Sequence, residues 1–181
     1  KVCLDAGAST GGFTDVLLRA GAKLVVAVDV GYGQLAWELR QDPRVKILDR
    51  TNIRHLTGEM VGEEIDLVVA DLSFISLSLV LPALAAVSRP NADYVLMVKP
   101  QFEVGREKLG AGGVVRDPAL RRAAVLDVAE AAYDVGLGTM GIAASPLPGP
   151  AGNVEYFLWL RRGAPEIDEA ALDTAIAMGP A

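Results

Sequence analysis

Short apolar runs alternate with longer amphipathic segments along most of the chain. The runs are rich in Val, Leu and Ile and end at acidic or turn-forming residues, a pattern typical of strands that are buried on both faces of a parallel sheet. They predict strands at residues 2–5, 24–29, 45–49, 65–71 and 94–98. The segments between them predict helices at residues 13–20, 34–40, 77–87 and 118–133. This alternation indicates an α/β fold with a doubly wound sheet.

The pattern changes towards the end of the chain. Two apolar runs, at residues 139–144 and 155–160, are joined by a Pro-rich loop at 146–150 instead of a helix. A direct connection of this kind favours an antiparallel pair, so we expect a Rossmann-like, mostly parallel sheet with an antiparallel last strand. A final helix is predicted at residues 168–178, where an acidic start precedes a closing Gly-Pro.

Composition narrows the class of protein. The 181 residues suit a single domain, and a hydrophobic content of 51% excludes intrinsic disorder. Cys3 is the single cysteine and His55 the single histidine, which excludes a disulfide framework and metal sites built on several Cys or His. No secretory signal is visible, and the apolar stretch at 72–87 is too short and too interrupted to span a bilayer. We therefore expect a cytoplasmic protein, and the abrupt start suggests a fragment of a longer chain.

The net charge limits the ligands that the chain could bind by itself. At −6 it argues against a self-sufficient nucleic-acid binder, because an acidic surface repels phosphates. Local cations could still contact RNA, and the candidates are Arg50, Arg54, Arg106, Lys108, Arg116, Arg121 and Arg122. Solvated helix and loop faces are the simpler explanation of these side chains.

Acidic residues close four of the predicted strands. They are Asp5, Asp29, Asp49 and Asp71. Open α/β sheets bind ligands at the carboxyl ends of their strands, so these carboxylates predict a ligand site there. Any one of them could instead cap the following turn, but four at equivalent positions favour a site.

A glycine-rich turn follows the first strand, and it fits three motifs to different degrees. As a phosphate-binding P-loop it lacks the lysine, because Phe13 stands at that position. The string Gly-Ala-Ser-Thr-Gly at 7–11 matches the nucleophile elbow of hydrolases, with His55 as a conceivable base. That elbow, however, belongs on a central strand with several strands before it.

As a Rossmann turn, the same segment has Gly7 and Gly12 in place of the first and third glycines, and Ser9 in place of the second. The second glycine normally admits a pyrophosphate, so a side chain there suits a ligand without one. Asp29 lies 22 residues after Gly7, where a carboxylate holds ribose hydroxyls. Ribose without pyrophosphate describes S-adenosylmethionine, with Asp5 facing its cationic methionyl end and Asp49 near adenine. The predicted binding residues are Asp5, Gly7, Ser9, Gly11, Gly12, Phe13, Asp29, Asp49 and Asp71.

Together with Asp71, two further strand-end residues carry candidate chemistry. Asp71 closes the fourth predicted strand, Lys99 follows the fifth, and Glu155 opens the last. The chain contains the strings LDAGASTGGFTD, VVADLSFIS, MVKPQFE and GNVEYFLWL. Because of these strings it resembles the methyltransferase domain of TlyA (haemolysin A-like) proteins, within the FtsJ/RrmJ-like group. The resemblance covers essentially the whole chain and implies a class I methyltransferase fold.

The resemblance also implies a reaction and its residues. The group transfers methyl from S-adenosylmethionine to ribose 2′-oxygens of ribosomal RNA, here cytidine in 16S or 23S rRNA, with a Lys-Asp-Lys-Glu tetrad. Asp71, Lys99 and Glu155 match its last three members, with Lys99 as the base and the two acids orienting it. Lys1 lies too close to the first strand to be the first member. That lysine and a basic RNA-binding domain are expected upstream, with ribosomal subunits as the substrate and no metal.

Two other functions remain open from the sequence. Asp29 and the Rossmann-like turn also fit a nicotinamide-dependent dehydrogenase, although the chain lacks a Tyr-x-x-x-Lys pair. A non-catalytic RNA- or membrane-interacting module, as the haemolysin name invites, would use the apolar helix at 77–87, which a core position explains better. The string Asp-Leu-Ser-Phe at 71–74 lacks the prolines of amino-methylating enzymes, although Phe74 could still stack on a base.

Overall fold

The first four strands form where the apolar runs predict them. The computed structural model describes residues 1–180, and these strands are β1 (Val2–Ala6), β2 (Leu24–Val28), β3 (Val45–Leu48) and β4 (Ile65–Ala70). β1 pairs in parallel with both β2 and β4, and β2 pairs in parallel with β3. β1 is buried along its whole length, as continuous apolar runs in parallel sheets are.

The remaining strands complete a seven-stranded sheet. They are β5 (Ser88–Val98), β6 (Leu137–Ala144) and β7 (Tyr156–Arg162). The strand order is β3-β2-β1-β4-β5-β7-β6, and β6 and β7 are antiparallel. The predicted α/β class, with a mostly parallel sheet and an antiparallel end, is therefore confirmed.

Six α-helices are present within residues 1–180, and five of them lie between strands in the chain. They are α1 (Gly12–Arg19), α2 (Trp37–Arg40), α3 (Gly58–Val61), α4 (Leu77–Ala86), α5 (Pro118–Asp134) and α6 (Glu169–Met178). The sequence pattern did not indicate α3, a single turn in which the Met60 N–H donates to the Thr57 hydroxyl at the N-cap. In this part of the chain, no helix has the length and apolar character needed to cross a membrane.

The chain divides into two units, the first made of residues 1–72 and 80–95. Its core includes a cluster of Cys3, Leu17, Leu18 and Val25, which joins α1 to the sheet. A second cluster, around Ala8, Ala27 and Leu35, lies beneath the glycine-rich turn. Burying these side chains fixes the turn against the strands.

The second unit contains residues 73–79 and 96–181. Helices α5 and α6 pack on β6 and on each other. Val125, Val128, Leu160 and Leu172 are fully buried there and make up much of its core. Asp117 and Asp168 cap the two helices by accepting hydrogen bonds from Ala119 and Ala170 backbone N–H groups.

Two elements begin three or more residues away from their predicted starts, for identifiable reasons. The helix expected at 34–40 begins only at Trp37, because the Gly31 and Gly33 amides donate to the carboxylates of Asp29 and Asp49. Strand β5 starts at Ser88 instead of residue 94. The polar residues in the first half of β5 are typical of a turn. In the structure, Arg89 in this half forms ion pairs with Glu64 and Asp66.

Candidate active site

The glycine-rich turn after β1 is a tightly bonded loop at the carboxyl end of the parallel strands. The Gly7 and Ala8 backbone N–H groups both donate to the Val28 carbonyl oxygen, at 2.9 and 3.0 Å. Ser9 adopts a left-handed conformation with φ +50°, and its N–H donates to the Asp29 carboxylate at 2.8 Å. The side chain of Ser9 is exposed, so the serine that replaces the second Rossmann glycine faces open space.

The glycines of the turn have different roles. Gly7 has φ +81°, and a Cβ there would overlap the Asp71 carbonyl oxygen. Gly11 precedes α1 with φ +104°, and a Cβ there would collide with Leu35 and Leu39. Gly12 has nothing within 4 Å of its ideal Cβ. Gly7 and Gly11 are thus required by packing, whereas Gly12 faces space that a ligand could use.

We predict that Gly7→Ala destabilises the fold. The substitution combines a left-handed backbone with a steric clash against β4, so the free energy of unfolding should fall by about 2–4 kcal/mol. Gly33→Ala is the matched control, because Gly33 also has positive φ (+67°) but no atom within 4 Å of its ideal Cβ. Urea unfolding of both variants checks the difference. Equal losses of unfolding free energy in Gly7→Ala and Gly33→Ala would show that the close approach of Gly7 to Asp71 does not contribute.

Asp5 is predicted as the last residue of the first strand, but β1 continues for one more residue, to Ala6. Its side chain is fully buried, and Oδ2 accepts a 2.7 Å hydrogen bond from the Thr14 hydroxyl. Oδ1 is buried without a hydrogen-bond partner among residues 1–180. Burial raises the pKa of Asp5 to about 6, with the nearby charges of Asp71 and Asp29 adding to the rise and the Thr14 bond opposing it. A cationic ligand would stabilise this carboxylate.

The raised pKa of Asp5 predicts a pH-dependent stability. Because the folded protein holds this proton more tightly than the unfolded chain, ionisation of Asp5 costs stability as the pH rises from 4 through 6. A shift from 3.8 to about 6 corresponds to about 3 kcal/mol. Asp5→Asn should therefore gain stability relative to wild type between pH 4 and 7, as measured by denaturant unfolding at each pH. A difference between the two proteins that does not change with pH contradicts the assignment.

Asp29 and Asp49 follow β2 and β3, as predicted, and both already organise the loops. Asp29 accepts from the Ser9 and Gly31 N–H groups, each at 2.8 Å. Asp49 forms a 2.9 Å ion pair with Arg40 and accepts from the Gly33 N–H at 3.3 Å. A carboxylate has about four acceptor directions, so Asp29 retains capacity for ribose hydroxyls.

Phe13 has a different environment from the other predicted binding residues. It is half-buried and packs against the apolar cluster of Cys3, Leu17 and Val69. The ring thus contributes to the core under the turn. A contact between Phe13 and a cofactor stays a prediction.

The candidate catalytic residues stand at strand ends. Asp71 directly follows β4, Lys99 directly follows β5, and Glu155 directly precedes β7. In the sheet order, β5 lies between β4 and β7. Glu155 is buried, and Gly149 allows the preceding loop to pass close to it, since a Cβ there would stand 2.7 Å from Oε1 of Glu155.

Lys99 has a partner that the sequence did not reveal. Its Nζ donates to the Ser73 hydroxyl at 3.3 Å. The neighbouring Phe74 is 89% exposed, has φ +65°, and stacks at a tilt on Phe102, with 4.9 Å between ring centroids. A groove of about 550 Å³ runs beside these rings, lined also by Leu79, Gln101, Arg106 and other residues. No spacing rule in the sequence connects Ser73 to Lys99, 26 residues away.

The candidate RNA-binding cations divide into two groups. Arg122 forms ion pairs with Glu169 and Asp173, which raise its pKa, and the Arg121 guanidinium donates to the Val115 carbonyl oxygen. These two residues hold α5 in place, so their assignment as RNA contacts is weakened. Others are exposed: Arg50, Arg54, Arg106, Lys108 and Arg116. The Arg50 guanidinium stacks over the Tyr32 ring at 4.4 Å.

Comparison with known proteins decides the family. The family model described as FtsJ-like methyltransferase matches residues 1–162. The chain belongs to the FtsJ-like methyltransferase family. It is 61% identical, over 98% of its length, to a Mycobacterium tuberculosis protein named 16S/23S rRNA (cytidine-2′-O)-methyltransferase TlyA. The predicted family and the predicted methyltransferase class are confirmed, which disfavours the dehydrogenase alternative.

Solved structures agree with this FtsJ-like assignment. A Lactococcus lactis protein that carries the name hemolysin superimposes with a TM-score of 0.93 at 40% identity, over 98% of this chain and 86% of that one. A Burkholderia thailandensis N1-methyltransferase solved with S-adenosylhomocysteine shares the fold, with a TM-score of 0.59 at 19% identity, over 89% and 70% of the two chains. This chain spans 68% of the length of the M. tuberculosis relative.

Proposed function

We propose that this chain is the catalytic part of an S-adenosylmethionine-dependent enzyme that methylates the ribose 2′-hydroxyl of cytidine in ribosomal RNA. The observation that carries the proposal is the FtsJ-like match over residues 1–162, which includes Asp71, Lys99 and Glu155. The relative named for this reaction is 61% identical. Ribosomal subunits are the proposed substrate, and the cytoplasm is the proposed site of action.

The residues of the glycine-rich turn suit S-adenosylmethionine. The buried Oδ1 of Asp5 lacks a partner within residues 1–180, and a cationic methionyl group would supply one. Asp29 offers acceptors for ribose hydroxyls, and Gly12 leaves room beside the first turn of α1. The exposed side chain of Ser9 suits a ligand without pyrophosphate. When bound, the cofactor supplies an electrophilic methyl group on a sulfonium.

Lys99 is the proposed base for the ribose hydroxyl. An alcohol is a weak nucleophile, so it needs a group that takes its proton and holds the oxygen in line for transfer. Asp71 and Glu155 are proposed to orient the Lys99 amine by hydrogen bonds. We also propose that the first lysine of the family tetrad lies upstream of residue 1, where its charge would favour the neutral amine of Lys99.

RNA binding requires more than this acidic chain. With a net charge of −6, we propose that a basic RNA-binding region precedes it in the complete protein. Within the chain, Arg106 lies in the groove beside Phe74 and Phe102. The exposed ring of Phe74 is suited to stack on a nucleobase, a contact worth roughly 1–3 kcal/mol.

Calorimetric titration tests the cofactor assignment. We expect the complete protein to bind S-adenosylmethionine and S-adenosylhomocysteine but not NADH. Repeating the titration on residues 1–181 alone shows whether the turn suffices. Binding of NADH, with no heat from S-adenosylmethionine, would support a dehydrogenase and overturn the proposal.

A further inference from the structure

Glu103 makes an unusual contact with the start of helix α4. Its carboxylate accepts a 2.6 Å hydrogen bond from the Ser76 hydroxyl and a 2.9 Å hydrogen bond from the Leu77 backbone N–H. The first amides of a helix lack partners within the helix, and a residue directly before it usually satisfies them. At α4 the Ser76 hydroxyl, directly before the helix, accepts from the Ser78 N–H at 3.2 Å, and the Leu77 N–H is satisfied by the Glu103 side chain 26 residues further along the chain.

The contact joins two segments that carry candidate active-site residues. Glu103 closes the 3-10 turn Pro100–Phe102, which begins directly after Lys99. Ser76 lies at the end of the loop that carries Ser73 and Phe74. We call the hydrogen bonds from Ser76 and Leu77 to Glu103 the Glu103 clasp. Bonds to a carboxylate are about twice as strong as neutral ones, which makes the clasp a strong link between these segments.

Two weaker contacts join the same segments. Lys99 Nζ donates to the Ser73 hydroxyl at 3.3 Å, and the rings of Phe74 and Phe102 lie 4.9 Å apart. The hydrogen bond is long and exposed, and Phe74 is held in a left-handed conformation that a bulky side chain rarely adopts. The clasp adds two shorter hydrogen bonds to a carboxylate between the same segments.

The surroundings of Glu103 also set it apart from a surface acid. Burial raises the pKa of Glu103, Asp127 adds to the rise, and the hydrogen bonds from Ser76 and Leu77 oppose it. A carboxylate in such a place is maintained by its hydrogen bonds.

We propose that Glu103 is a positioning residue for methyl transfer, which fixes the Ser73–Phe74 loop against the turn that begins at Lys99. Through this contact it sets the place of the Lys99 amine relative to the bound RNA. The inference rests on the proposed function, because it assigns Glu103 a part in the same reaction. Small displacements of a reacting group cost much of the rate, so the effect should fall on kcat.

The test compares three variants of the complete protein on rRNA. Glu103→Ala removes the clasp, and we expect kcat to fall about tenfold or more while the Kd for S-adenosylmethionine stays within twofold. Glu103→Gln keeps an acceptor for Leu77 and a polar partner for Ser76, so it should retain most of kcat. Ser88→Ala is the matched control, because it removes a 2.7 Å hydrogen bond to the Leu84 carbonyl oxygen at the other end of α4. It should lower Tm without lowering kcat.

Other outcomes would contradict the role of Glu103 or the proposed function. An unchanged kcat in Glu103→Ala overturns the role of Glu103. A fall in kcat in both Glu103→Ala and Ser88→Ala, in proportion to the fall in Tm of each variant, also overturns it. Loss of kcat in Glu103→Gln equal to that in Glu103→Ala also overturns it, because the hydrogen bonds would then not be the cause. A wild-type protein that binds rRNA and S-adenosylmethionine but transfers no methyl group overturns the proposed function itself, and this inference with it.

Discussion

Replacement of Lys99 by alanine is expected to reduce methyl transfer to rRNA about 10³-fold, the scale of a general base. The amine is the proposed acceptor of the ribose proton, and alanine has no group that can replace it. Binding of S-adenosylmethionine should be nearly unchanged, because the proposed cofactor-binding residues lie on β1 to β4 and their loops. Single-turnover transfer of a labelled methyl group to rRNA measures the rate of methyl transfer, and calorimetry measures the binding of S-adenosylmethionine.

The Lys99 variant has a matched control. Lys23 is an exposed lysine before β2, outside the proposed site, so Lys23→Ala should retain wild-type activity. A rate within threefold of wild type for Lys99→Ala would remove Lys99 from the reaction. Equal losses in both lysine variants would point to a general effect of charge on RNA binding.

Replacement of Asp29 by alanine is expected to weaken S-adenosylmethionine binding by 10²–10³-fold, or about 3–4 kcal/mol. Two causes add. The variant loses the proposed ribose contact, and it leaves the Ser9 and Gly31 N–H groups without their acceptor, so the turn loses its shape. Calorimetric titration of wild type and variant gives the ratio of the two Kd values.

Asp15 provides the control for Asp29. It is a partly exposed acid on α1 that pairs with Arg19 at 3.0 Å on the helix surface, and such pairs contribute little. Asp15→Ala should bind S-adenosylmethionine as wild type does. If Asp29→Ala also binds normally while remaining folded, the ribose lies elsewhere.

The fold was largely predictable because buried strands and helices have distinct hydrophobic periods. Residues 45–49 and 65–71 end within one residue of β3 and β4, since an acid interrupts each apolar run. Polar strand residues carry no such signal. The first half of β5 was missed because its residues are polar, and because the ion pairs of Arg89 with Glu64 and Asp66 leave no signal in the hydrophobic pattern.

The positions of candidate site residues at strand ends were predictable, whereas contacts between distant segments were not. Asp29 could be placed beside the glycine-rich turn, and Asp49 directly after β3, from their spacing alone. The partners Ser73 of Lys99 and Thr14 of Asp5 were not predicted, because hydrogen bonds between side chains leave no period in the sequence. The same holds for Asn153, whose buried amide donates to the Gly113 carbonyl oxygen and accepts from the Val115 N–H.

The central claim is that this chain directs a methyl group to a ribose oxygen. The most direct measurement incubates the complete protein with rRNA, in ribosomal subunits and free, and with methyl-labelled S-adenosylmethionine, then digests the RNA to nucleosides for mass spectrometry. The account predicts label in 2′-O-methylcytidine, formed about 10³-fold more slowly by Lys99→Ala. Label in a base-methylated nucleoside, or undiminished 2′-O-methylation by Lys99→Ala, would contradict it.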